Sequence, residues 1–339
     1  MAVSTHRASV SVFNAGLLGM GRYAIAIGCL GAAGALAQPA PDYPSKAVRF
    51  VVPVPPGGAP DIFTRLVAEK LAAKWNQPVI VENRAGAGGN IGAALVARAD
   101  PDGYTLLSSP PGPIALNGSL FKDLSYDQAK WSPVTILTRQ PMLLAARKTL
   151  PANSVQELIA LAKRDPGKFS FGSLGNGTIS HLTMMLFLST AGVTLVNVPY
   201  QGSTPALAAL MGEQVDIVFD NVAPYIGPLR SGRVKILAAG STERLPMFPD
   251  TPTFSESGFP KLAPYAWFAV VAPPNTPASI TQQISKAIAG ELAHPDVKKR
   301  LADSVAYPVG GTPAETAAFL AEERARWREV IRSANITAG

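Results

Sequence analysis

VRFVV (Val48–Val52) runs directly into PVPPGGAPDIF (Pro53–Phe63). The first five residues are a β-branched, apolar run, the pattern of a buried strand. Prolines and two glycines then interrupt the chain. From Asp61 to Lys74 the apolar residues Ile62, Leu66, Val67 and Leu71 recur at helical spacing. Gly57 and Gly58 let the backbone approach a ligand closely, and Asp61 stands where an N-cap or first-turn acid belongs. Unpaired amides at a helix start favour an anion. Pro56, Gly57, Gly58, Ala59 and Asp61 are therefore candidate binding residues. The turn suits a phosphate, a catalytic group or a carboxylate, and it also suits a tight connection with no ligand. The phosphate version of the design needs GxxxxGK[ST], which the chain does not contain.

Working outward, strand and helix alternate. QPVIVEN is the next predicted strand, GGNIGAALVARA the next helix and GYTLLSS a third strand, whose end brings Ser108 and Ser109 into the candidate set. A βαβαβ rhythm implies a parallel sheet with ligands at the carboxyl ends of its strands. A second set starts with the strand MLLAAR, followed by a helix from Ser154 to Lys163 that opens with a capping-box pattern. Strand FSFGS leads to a glycine loop and helix in GNGTISHLTMMLFLSTAG, then VTLVNVPY, TPALAALMGE, QVDIVFDN, a short helix in VAPYIGPLRSG and the strand VKILAAGS. The tail reads as the strand WFAVVAP and three helices at 278–293, 295–302 and 313–334. The expected fold is α/β, two-lobed, each lobe a mainly parallel sheet flanked by helices. The divisions expected are a first lobe over 44–141, a second over 142–264, and a return to the first over 265–339, the arrangement of hinge-bending binding proteins.

Composition narrows the class. The chain has 339 residues, 47% hydrophobic and 16% charged, as an ordered globular protein does. Its formal charge of +7 comes from scattered basic residues without a long like-charge run, so no nucleic-acid partner is expected. Residues 1–37 read as a secretory signal peptide. Arg7 and Arg22 precede the apolar YAIAIGCLGAAGAL, and Ala35-Leu36-Ala37 is a small-x-small cleavage pattern. Cleavage after Ala37 removes two arginines and no acids, leaving 7 − 2 = +5, and places the mature chain in the periplasm. The one cysteine, Cys29, lies in this leader, in a context that faintly resembles a lipoprotein processing site. After cleavage no disulfide or thiolate site remains, and three dispersed histidines give no metal site.

The second glycine loop, SLGNGTISHL, supplies Gly175, Asn176, Gly177, Thr178, Ser180 and His181 as candidates. Facing the first turn across a cleft, it would aim a second helix N-terminus at the same anion. A serine nucleophile at Ser180 lacks the GxSxG elbow, and adjacent helical residues point about 100° apart, so His181 is badly placed as its base. GAGGNIG (Gly86–Gly92) has Ile91 where a dinucleotide fingerprint needs glycine, so no nicotinamide or other cofactor is expected. Tyr200 and Asp220 end strands where an α/β sheet places ligand contacts. The alternatives are half-buried packing for Tyr200 and a loop cap for Asp220.

Taken in order, VVPVPPGGAPD, PVIVENRAGAGGNIGA, PDGYTLL, GNGTISHL, VPYQGSTPAL, QVDIVFDN, DTPTFSESGFP and WFAVVAP closely resemble the Bug-type receptors of tripartite tricarboxylate transporters, from about Tyr43 onward. The resemblance implies a monomeric periplasmic receptor, not an enzyme, that closes on a small carboxylic acid and passes it to membrane permease subunits. It implies a carboxylate held by backbone amides, hydroxyls and waters between PVPPGGAPD and GNGTIS, without an arginine clamp. The alternatives are an exported serine hydrolase and a ligand sensor for a membrane signalling protein. Val54, Pro60 and Ile179 depart from the Phe, Ser or Thr, and Ser common at these positions. These departures imply a more apolar pocket and a ligand with a ring or aliphatic body. Gly177→Val and Ser180→Ala are expected to weaken binding and leave the ligand-free protein's stability nearly unchanged.

Overall fold

The computed structural model describes residues 43–260, 262, 265–333 and 336. The predicted leader and Cys29 lie outside them. Ten strands are β1 (Val48–Val52), β2 (Val79–Asn83), β3 (Thr105–Ser109), β4 (Ser132–Arg147), β5 (Ser170–Ser173), β6 (Val196–Pro199), β7 (Ile217–Asn221), β8 (Val234–Gly240), β9 (Tyr265–Ala272) and β10 (Tyr307–Gly310). Helices follow most of them: α1 (Ala59–Trp75), α2 (Asn90–Ala97), α3 (Asn117–Leu120), α4 (Val155–Arg164), α5 (Ile179–Ala191), α6 (Ser203–Met211), α7 (Ile226–Arg230), α8 (Ala278–Leu292), α9 (Pro295–Asp303) and α10 (Pro313–Ser333).

The strands follow the order β2-β1-β3-β9-β4-β7-β5-β6, with β8 and β10 also paired to β4. β4 is common to both halves. Its residues 132–141 pair with β9, and from Met142 on its partners are β7 and β8. The expected parallel groups are present, and antiparallel strands join them. The β1, β2, β3 and β5, β6, β7 groups are parallel, whereas β9 runs antiparallel to β3 and β4, as do β7, β8 and β10 to β4. The reason is connectivity: β4 and β9 carry the chain out of one group and back into it, in opposite directions.

The predicted strand MLLAAR is the second half of β4. Its first half, SPVTILTRQP, contains Pro133 and Pro141, which remove ladder donors and hide a strand from pattern reading. Short β10 escaped for lack of alternation. At α4 the capping pattern is realised in part: Ser154 accepts from the Glu157 amide at 3.1 Å, while the Glu157 carboxylate accepts from the amide of Asn153.

Strands near the middle of each group are apolar on both faces, as buried parallel strands must be. Phe50 packs with Phe63, Leu66, Leu71 and Ile288 under α1 and α8, and Val51 faces Val96, Leu107 and Trp327 under α2 and α10. In the second half Phe171, Phe187 and Phe219 pack under α4 and α5, while Val218, Ala206 and Tyr225 pack under α6. Leu182 on α5 belongs to the cluster of Trp267 and Trp327, so α5 is anchored in the first half as well as the second.

Candidate functional site

Each glycine turn is shaped by what surrounds it. In the first, Gly57 has φ +84, a left-handed backbone that favours glycine, and its N–H donates to Asp61 Oδ2 at 2.9 Å. The Asp61 carboxylate, 3% exposed, also accepts from Arg65 Nε at 2.9 Å and Asn83 Nδ2 at 3.0 Å. Burial pushes its pKa up, but these donors outweigh burial and hold it below the ordinary value. Asp61 thus braces the turn from inside. The side chain expected to face a ligand is fully engaged.

Gly58 is the N-cap of α1 and has no side chain to cap it, and Pro60 has no N–H. The first intrahelical bond runs from the Ile62 amide to Gly58 O. The amides of Ala59 and Asp61 therefore have no partner within the helix. Ser108 is buried and hydrogen-bonded to Thr64 Oγ1 at 2.6 Å, and Thr64 in turn donates to Pro60 O at 2.5 Å. Ser109 donates to Pro110 O. Both hydroxyls are already spent, and that of Ser108 holds the underside of the turn through Thr64.

The second turn has its own lattice. Gly175 and Gly177 are left-handed, at φ +119 and +75. Thr178 caps α5, donating to Gly175 O at 2.7 Å and accepting from the His181 amide. Gly177 N–H donates to His181 Nδ1 at 3.2 Å, and the imidazole stacks on Phe171 with ring centroids 6.2 Å apart. Burial lowers the His181 pKa. The ring is neutral, with Nδ1 as acceptor. Asn176 is exposed and accepts from Asn197 Nδ2.

Ser180 turns inward and donates to the Phe219 carbonyl of β7 at 2.5 Å. It pins α5 to the sheet. Ser180→Ala is expected to lower stability by about 1 kcal/mol by stranding that carbonyl. The decrease would be read as a shifted urea midpoint, in contrast to the unchanged stability expected from sequence. Gly177→Val departs likewise. A β-branched residue at φ +75 is strained by about 1–2 kcal/mol, and its Cβ would stand 2.8 Å from Leu120 Cδ1.

Tyr200 donates its amide to Ser173 O, and its ring lies over Gly172, where a Cβ would be 3.3 Å from Tyr200 Cε2. Asp220, fully buried, accepts from Ser203 Oγ at 3.0 Å and from the Asn221 amide, tying β7 to the start of α6. Burial raises its pKa to about 7. Tyr200 is half-buried against Gly172, and Asp220 spends Oδ1 on these bonds while its Oδ2 has no protein partner. Asn221, one residue on, has a buried Oδ1 without a protein partner, as does Ser173 Oγ at the end of β5. Both lie at carboxyl strand ends. Only their strand-terminal position could have flagged them.

Tight glycine contacts bring the turns together. A Cβ on Gly89 would lie 2.5 Å from Pro113 Cγ and 3.3 Å from Pro53 Cβ; one on Gly88 would lie 3.1 Å from Phe121 Cζ. With Gly177 against Leu120, the turns after β1, β2, β3 and β5 meet around residues 110–121, which include a π-helical turn at Gly112–Leu116. Asn117 Nδ2 donates to Gly88 O and Asn90 Oδ1, Tyr126 donates to Asn90 Oδ1, and Gln128 bonds Gly112 O and Gly118 N. Sequence reading missed this brace because Asn90 is distant in the chain from Asn117, Tyr126 and Gln128, which lie in an irregular segment. Of the departures from the family pattern, Ile179 packs between the apolar clusters of both halves.

Residues 63–336 match the model of the tripartite tricarboxylate transporter family receptor, TctC. The chain belongs to that receptor family. Protein BugT of Bordetella pertussis is 36% identical over 319 residues, covering 93% of this receptor and 98% of BugT. A Rhodopseudomonas palustris protein solved with adipate superposes with a TM-score of 0.81 at 34% identity, covering 87% of the receptor and 99% of its own chain. MatC from Rhodopseudomonas palustris, solved with bound malate, gives 0.78 at 34% identity, covering 85% of the receptor and all (100%) of MatC. The two-lobed binding-protein fold is therefore shared. Among the described residues no helix is long and apolar enough to cross a membrane.

Proposed function

We propose that this receptor captures a small carboxylate-bearing solute between its lobes and delivers it to the permease subunits of a tripartite transporter. One observation carries the reading. Two glycine turns open α1 and α5; the second packs on Leu120 through Gly177, the start of the first packs through Pro53 on Gly89, which also meets Pro113, and neither turn holds a Lys or Arg, over residues 53–59 or 174–179. Backbone amides at two helix starts suit a carboxylate without a cationic side chain. The adipate and malate of the two structural relatives are short dicarboxylates, which supports the same ligand class here.

Solute contacts in this reading come from the backbone of Gly58, Ala59 and Gly175, with Asn221 and Ser173 at the far end. The Gly57 amide is not among them, since Asp61 holds it. Catalysis is no part of the proposal. The Ser180 hydroxyl is given to Phe219 O and His181 Nδ1 to Gly177, so the pair has no nucleophile-and-base arrangement. Export with cleavage after Ala37, a periplasmic location and a monomeric state complete the proposal.

The test is a thermal-shift panel of succinate, malate and adipate. A ligand at a hundredfold excess over its dissociation constant stabilises by about 2.7 kcal/mol. Gly58→Leu should weaken that ligand at least tenfold while lowering the ligand-free melting temperature only by the few degrees that a poorer helix cap costs. Its φ of −74 suits any residue, and an added Cβ meets neighbours only at 3.7 Å and beyond. No stabilisation by any short dicarboxylate, or equal binding by Gly58→Leu, would overturn the proposal.

A further inference from the structure

A cavity of about 370 Å³ opens beside α3, away from the turn residues 53–59 and 174–179, between the segment from Phe121 to Ala129 and one face of α10. Phe121, Leu124 and Tyr126 give it apolar walls. Lys122, Arg324 and Arg328 bring three cations to it, against one carboxylate, Asp127, whose Oδ1 accepts from the Ala129 amide at 2.9 Å.

The two arginines stand one helical turn apart, a like-charge spacing that costs an isolated helix stability. Other arginines of α10 are compensated locally: Arg326 lies 3.7 Å from Glu323 and Arg332 lies 2.8 Å from Glu329. Arg324 and Arg328 have no acid within ion-pair distance among the described residues. The half-buried Arg324 reaches only the Gln128 carbonyl, at 3.5 Å. Burial and the nearby Arg328 charge lower its pKa, against an opposing pull from Asp127. A dianion bridging two guanidiniums relieves that repulsion, and planar forks match carboxylates in pairs.

We propose that this cavity is a second binding site, separate from the glycine turns, for a small organic dicarboxylate held by Arg324 and Arg328 with Lys122 at its mouth. Its apolar walls would seat the carbon chain between the acid groups. The site stands independently of the ligand assigned to the cleft.

The experiment follows the Nε–H resonances of Arg324 and Arg328 by NMR in the Gly58→Leu protein, titrated with succinate. Inorganic phosphate and chloride at matched ionic strength are the controls. Saturable shifts of both resonances with succinate, absent with chloride, are expected. Calorimetry on the otherwise unaltered protein should resolve a succinate event that R324Q/R328Q weakens at least tenfold without lowering the melting temperature. Shifts that track ionic strength equally for all three salts would overturn the proposal, as would saturation by phosphate alone. If Gly58→Leu leaves cleft binding intact, the cleft reading fails, while the loss specific to R324Q/R328Q still decides this one.

Discussion

Replacing Glu323 with alanine is expected to cost about 3 kcal/mol and to lower the melting temperature by roughly 6–12 °C. Its Oε2 accepts from two indoles, Trp267 Nε1 at 2.8 Å and Trp327 Nε1 at 3.0 Å, in a setting where all three residues are buried. Hydrogen bonds to a charged acceptor are worth more than neutral ones, and their loss strands two donors away from water. Trp267 sits on β9 opposite Arg139 of β4, so the carboxylate ties α10 to the sheet next to the segment where β4 changes partners. Glu323→Gln keeps an acceptor oxygen and should lose well under half as much. Differential scanning calorimetry of both variants decides it. Equal losses would mean that the oxygen is not what matters.

Asp220→Asn should stabilise the protein at alkaline pH, with an advantage that vanishes in acid. The Asp220 pKa is raised to about 7 by burial, against about 3.9 in an unfolded chain. A raised folded pKa contributes stability that is fully present below the unfolded value and is lost as pH rises through 7. Asparagine keeps the oxygen that accepts from Ser203 and from the Asn221 amide and removes the charge. The variant should match its parent below about pH 4 and exceed it above pH 7 by an amount on the order of 4 kcal/mol. His181 works in the opposite direction. Its pKa is lowered, so its contribution is present above the unfolded value of about 6.5 and is lost as pH falls through the folded one. Melting curves of Asp220→Asn and His181→Gln across this range separate the two slopes. An Asp220→Asn protein that is weaker at every pH would show the carboxylate to be ionised and stabilising.

Much of the architecture was legible because it is written locally. The apolar runs of β1, β3 and β7, the helical spacing after Asp61 and the Ser154 cap each report on their own neighbourhood. What stayed hidden depends on distant partners. Nothing near Pro133 and Pro141 shows that one strand crosses both halves, because the evidence is the register with β9 and β7. The glycine turns announced themselves as backbone sites, and the eight motifs in order pointed to the family. Side-chain roles at those turns were harder to read. Asp61, Ser108, Ser180 and Asp220 look like ligand contacts by residue type and position, yet each finds an internal partner, and a sequence does not show which way a hydroxyl or carboxylate turns. Asp220 and Asn221, on opposite faces of the end of β7, each keep one buried side-chain oxygen without a protein partner.

The place of β9 in the sheet also sets the timing of assembly. β9 lies between β3 and β4, joined to the first through Leu107–Ser109 and to the second along residues 132–141. A chain made from its N-terminus completes every strand of the second half before it supplies this one. Until Tyr265–Ala272 exists, β3 has an open edge and its apolar core lacks Trp267, Phe268 and Val270. Contacts of such long sequence separation form late and slowly. The sheet around β3 is therefore completed only when about four-fifths of the polypeptide has been made, and until then its edge stays open.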